Sequence, residues 1–114
     1  MAQNSVSARQ NSNLRDNVPI FVTEDTELEV GSQNVFATAN TASDSFTITL
    51  PPVGPSAGTI ISIDVTIADA KDVQVEDNRA DAGLPNDLDM DADADNVVLY
   101  STGVLWIELF NGIA

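Results

Sequence analysis

From Pro19 to Asn111 the chain alternates apolar and polar side chains in short runs. Ile20-Phe21-Val22-Thr23 opens the pattern, and Leu28 and Val30 continue it among acids. Phe46, Ile48 and Leu50 alternate with Ser45, Thr47 and Thr49 until Pro51-Pro52 ends the run. Ile61, Ile63, Val65 and Ile67 alternate with Ser62, Asp64, Thr66 and Ala68, and Val73 and Val75 obey the same rule. A period of two sends successive side chains to opposite faces of a strand, so these runs read as half-buried antiparallel strands. Clusters of Gly, Pro, Asn and Asp separate them, and no stretch of helical length spaces its apolar residues by three and four. The pattern predicts an all-β fold, an antiparallel β-sandwich or jelly roll of about eight short strands.

The clearest pair is Val97-Val98-Leu99-Tyr100-Ser101 followed by Val104-Leu105-Trp106-Ile107-Glu108-Leu109-Phe110. Thr102-Gly103 between them predicts a two-residue hairpin, because Gly takes positive φ without a Cβ penalty. Trp106 reads as a core anchor, with a subunit contact as its other use.

Residues 1–18 break the pattern. They are rich in Asn, Gln and Ser, with Val6, Leu14 and Val18 as the sizeable apolar side chains. Such a segment builds no core, so the expected organisation is an extended polar N-terminal arm over 1–18 and a β-knob over 19–114. A frayed tail is the plainer alternative, whereas an arm that orders does so by lying on another surface. Charge divides at the same boundary. Arg9 and Arg15 outweigh Asp16 in the arm, while the knob sets seventeen acids against Lys71 and Arg79.

The net charge of -14 excludes nucleic acid and anionic membrane as partners. With no Cys and no His, thiolate chemistry, the usual metal ligands and the usual general base are absent. A serine nucleophile would have only Lys71 as its base, in a context (Asp69-Ala70-Lys71-Asp72) that suggests no site. With six aromatic residues and a core to fill, little is left to build a sugar platform. The chain reads as a non-enzyme. Its N-terminus lacks the apolar stretch of a secretory signal, which implies synthesis in the cytoplasm.

Asp87, Asp89, Asp91, Asp93 and Asp95 occupy alternate positions. On a strand they would share one face about 7 Å apart and repel each other, whereas in a loop they could converge on calcium. The EF-hand spacing fails, since Ala92 and Val98 stand where it needs Gly and Glu. The run is a candidate Ca2+ site or a solvated acidic loop. No other cofactor is indicated.

Phe46-Thr47-Ile48-Thr49-Leu50-Pro51-Pro52, then Gly58-Thr59-Ile60-Ile61-Ser62-Ile63, then Val97 through Trp106 together resemble small β-domains of bacteriophage virion proteins, over residues 44–110. Thr102 departs from the Asp usual before the hairpin Gly, and the Asp-rich stretch is an insertion. The resemblance implies a trimeric β-sandwich or jelly roll in a tail-fibre or capsid-associated protein. A short arm before a compact knob looks most like a capsid decoration, or cement, protein on the virion's outer surface. The expected partners are the major capsid protein, through Arg9, Leu14, Arg15 and Val18 of the arm, and copies of itself in a homotrimer. A monomer is the alternative to the trimer. A tail-fibre or baseplate component with a receptor-binding tip, and a calcium-dependent binding module, are the rival functions.

Overall fold

The computed structural model describes residues 19–40, 44–68, 70–78 and 82–114. Among them are nine strands and no helix: β1 (Pro19–Val22), β2 (Thr26–Glu27), β3 (Gln33–Ala39), β4 (Phe46–Thr49), β5 (Ile60–Ile67), β6 (Val73–Glu76), β7 (Leu88–Met90), β8 (Asn96–Ser101) and β9 (Trp106–Asn111). The chain belongs to the all-β class that its alternation predicts.

The sheets, however, are mixed and not antiparallel. Five strands form one sheet in the order β1-β3-β5-β8-β9, and four form the other in the order β2-β4-β6-β7. From β1 to β6 the chain crosses from one sheet to the other after every strand. Each strand therefore returns parallel to the one two before it, giving β1–β3, β3–β5, β2–β4 and β4–β6 as parallel pairs. A parallel pair needs a crossover, usually a helix. Here the crossover is a strand of the opposite sheet. One face of each sheet thus stays open and alternation survives, which is why the pattern reads as antiparallel. Only the last strands turn back, with β5–β8, β6–β7 and β8–β9 antiparallel.

One hydrophobic core serves both sheets. Val35, Ile61, Ile63, Val97 and Leu99 fill it from the five-stranded sheet, and Ile48, Val73, Val75 and Met90 from the four-stranded one. Leu50, Pro51 and Val53 close one end, where the Ser101 hydroxyl donates to the Val53 carbonyl at 2.7 Å. Aliphatic side chains do most of the filling. Of the aromatics, Phe46 and Trp106 are buried, while Phe21, Phe36 and Phe110 are exposed. The expectation that the core consumes the aromatics is thus corrected, since alternation places these three on the open face.

The β8–β9 connection is also longer than expected, spanning residues 102–105. The Thr102 hydroxyl accepts from the Val104 and Leu105 amides at 3.2 and 3.1 Å, and the Thr102 amide donates to the Leu105 carbonyl at 2.9 Å. These bonds convert the start of the expected second strand into a turn. Gly103 holds φ at +95°, where a Cβ would also meet that of Ala57 at 3.2 Å.

Candidate interaction surface

The open face of the five-stranded sheet is assembled row by row from its register. Pro19, Asn34, Ser62, Val98 and Phe110 lie in one row, and Phe21, Phe36, Asp64 and Asn96 in the next. Ile60, Tyr100 and Ile107 form a third row on the other side of the first. Two apolar islands result. At the β1 edge Phe21 stacks on Phe36 with ring centroids 5.7 Å apart, and Phe21 remains 78% exposed. At the β9 edge lie Ile60, Val98, Tyr100, Ile107 and Phe110. A polar bridge separates the islands, where the Ser62 hydroxyl donates to Asn34 Oδ1 at 2.8 Å. Asp64 is the single charged side chain in these three rows.

The four-stranded sheet presents a different surface. Glu27, Thr49 and Glu76 form one outward row, and Thr47, Gln74 and Asp89 another. With Asp25 and Thr26, four of these residues (Glu27, Thr47, Thr49 and Glu76) line a shallow concavity of about 370 Å³. Asp25 is fixed there by accepting from the Thr47 amide at 2.8 Å. Beside it Asp44 pairs with Lys71 at 3.0 Å, and the ammonium holds the Asp44 carboxyl below its ordinary value. The two faces of the molecule therefore differ in kind, one apolar and the other acidic.

The alternate aspartates are not gathered into a cation site. Among the described residues no group of three or more acidic side chains is arranged to hold a metal ion. Leu88 and Met90 reach the core from β7, which leaves Asp89 on the outer face opposite Gln74. Burial and a hydrogen bond with Asp72 raise the Asp89 pKa, and the Asp91 and Asp95 charges add to the effect. Asp87 and Asp91 are exposed. Asp93 accepts from the Ile67 amide at 3.1 Å. Asp95 is buried and accepts from the Ala92 and Ala114 amides at 3.1 and 2.9 Å. Two of the five carboxylates are thus committed to backbone donors. The arm residues Arg9, Leu14, Arg15 and Val18 lie outside the described residues.

A sequence signal explains this local structure. Ala-Asp-Ala occurs at 68–70, 80–82 and 92–94. Its last alanine has positive φ each time, 58° at Ala70, 52° at Ala82 and 70° at Ala94. At the first and third copies the next amide closes a turn back to the first alanine, Lys71 to Ala68 at 3.3 Å and Asp95 to Ala92 at 3.1 Å. A left-handed alanine costs about 1 kcal/mol or more, a strain that glycine avoids. Ala94 is exposed, so Ala94→Gly is expected to raise stability by about 0.5–1 kcal/mol in urea denaturation. A loss of stability would show that the alanine is not strained.

No protein-family model, curated protein or solved structure matches this chain.

Proposed function

We propose that this chain is a virion structural protein, a capsid decoration protein that binds the outside of a phage head. In this reading the two sheets form a β-sandwich knob, and residues 1–18 are an extended arm laid on the major capsid protein. The observation that carries it is the segregation of surface chemistry. A chain of net charge -14 places one charged side chain, Asp64, in the three central rows of that sheet face and exposes aromatic side chains there. A monomer surviving in solution has little reason to expose stacked phenyl rings, whereas a protein that spends its life against a coat surface does. Phe21 follows residue 18 by three residues, so an arm laid on the coat would bring the Phe21–Phe36 island against the same surface. The acidic sheet then faces solvent, where its charge keeps decorated particles from adhering to one another.

The test compares the full chain with residues 19–114 in co-sedimentation with heads of the cognate phage stripped of the protein. The full chain is expected to pellet with heads. The shortened chain, expected to fold by circular dichroism because it holds the hydrophobic core of the described residues, is expected to lose at least tenfold in affinity. Equal binding by both would remove the arm from the account.

A further inference from the structure

A β-sheet edge is a hazard that proteins blunt by shortening the strand, by charge or by proline. Three of the four edges here are managed in that way. β2 has two residues and carries Glu27, β7 has three and carries Asp89, and β1 begins with Pro19. The fourth edge, β9, is the longest, six residues reading Trp-Ile-Glu-Leu-Phe-Asn; Glu108 is its one charge, the Gly83 carbonyl takes the Trp106 amide, and among the described residues only β8 forms a ladder with it. A register shift opposite Val98 and Leu99 leaves Leu109 as the extra, exposed residue of a bulge. Just beyond the strand, the turn held by Thr102 presents Val104 and Leu105 to solvent.

We propose that this β8–β9 corner is where a second copy of the chain docks, so that copies pack corner to corner about a shared axis. Area supports that occupant. Ile60, Val104, Leu105, Ile107, Leu109 and Phe110 are each between 43% and 73% exposed. At about 150–200 Å² for a large side chain, they offer roughly 500 Å² of apolar surface per copy. Two such corners bury roughly 1,000 Å², the lower bound for a specific interface, before any polar rim is added. Charge points the same way. Two chains of net charge -14 repel, but from Asn96 to Ala114 the only charged side chain is Glu108. Glu108 stands opposite the core-facing Leu99 and is held by Asn111 at 2.8 Å, off the apolar rows. Two copies of the knob thus meet at this corner with little like-charge repulsion. A basic partner would find almost nothing there to pair with. The turn is already fixed by its hydrogen bonds, so docking orders little further chain.

This contact adds self-association to the assembly role proposed above and rests on that reading, but it requires no coat protein, so it fails or succeeds apart from head binding. Sedimentation equilibrium of the full chain, at up to about 100 µM and physiological salt, measures it. A dimer or trimer is expected. Phe110→Glu and Val104→Glu, both at exposed positions, are each expected to weaken association at least tenfold while keeping the β-sheet circular-dichroism spectrum of the wild type. Phe21→Glu, at the far edge of the sheet, is expected to leave it unchanged. If either corner variant fails to fold, the other decides. A wild-type monomer at the highest concentration would overturn the proposal and leave the corner to residues 1–18 or to the coat. So would association that ignores both corner substitutions.

Discussion

Trp106→Ala is expected to cost about 3–5 kcal/mol, a large part of the stability a domain of this size possesses. The indole is 3% exposed within the core cluster, and truncation removes its buried area and leaves a cavity. Its position makes the loss larger than the side chain alone suggests. Trp106 is the only buried residue of β9, every other member of the strand being exposed. Its backbone amide also donates to the Gly83 carbonyl at 2.9 Å, tying the edge strand to the segment before β7. Without the indole, β9 keeps its backbone bonds but loses its one side chain buried in the core. The expected drop in melting temperature is roughly 15–30 °C, read by circular dichroism. Trp106→Phe fills most of the same space and discards an indole N–H that has no hydrogen-bond partner among the described residues, so it is expected to cost less than half as much. An alanine variant within about 1 kcal/mol of the wild type would show that β9 does not depend on this anchor.

Asp95→Ala carries the second large effect. The carboxylate is 2% exposed, and its two oxygens satisfy the amides of Ala92 and Ala114. The first bond closes the turn that ends the acidic run, and the second holds the C-terminal residue against it. Removing the acceptors strands two N–H groups in part-buried surroundings, at about 1–2 kcal/mol each, so a loss of about 2–4 kcal/mol is expected in chemical denaturation. Asp95→Asn keeps one carbonyl oxygen but turns an amide toward the other donor, which places its expected cost between those of alanine and the wild type. Were Asp95 merely one more repelling charge on an acidic chain, both substitutions would stabilise.

What the sequence reveals follows from which physical rules are local. Alternation along Phe46–Leu50 and Ile61–Ile67 identifies strands and their buried faces, and Ile48, Leu50, Ile61 and Ile63 are all fully buried as that rule requires. Strand direction is not local. The residues of β3 and β5 would alternate in the same way whether their neighbours ran parallel or antiparallel, so the winding between sheets is invisible to a period of two. The same holds for Phe21 and Phe36. Aromatic residues in β-runs are expected inside, but their positions on β1 and β3 are fixed by the inward commitments of Val22, Val35 and Ala37. The acidic run is ambiguous because one rule predicts a face and another a loop. The chain uses both, β7 for Leu88 through Met90 and a tight turn for residues 92–95. The first and third Ala-Asp-Ala copies mark such turns in the sequence, although alanine is not a residue that advertises positive φ.

These features bear on the proposal that the chain is a two-faced assembly protein, attached by its apolar sheet with its acidic sheet turned outward. Image reconstruction of decorated phage heads, at a resolution that separates the two sheets, tests that claim most directly. The account predicts density on the outer capsid surface, with Phe21 and Phe36 against the coat, the β8–β9 corners of neighbouring copies in contact, and Glu27, Glu76 and Asp89 facing solvent. Density at the tail, or a knob whose acidic sheet rests on the shell, would contradict it.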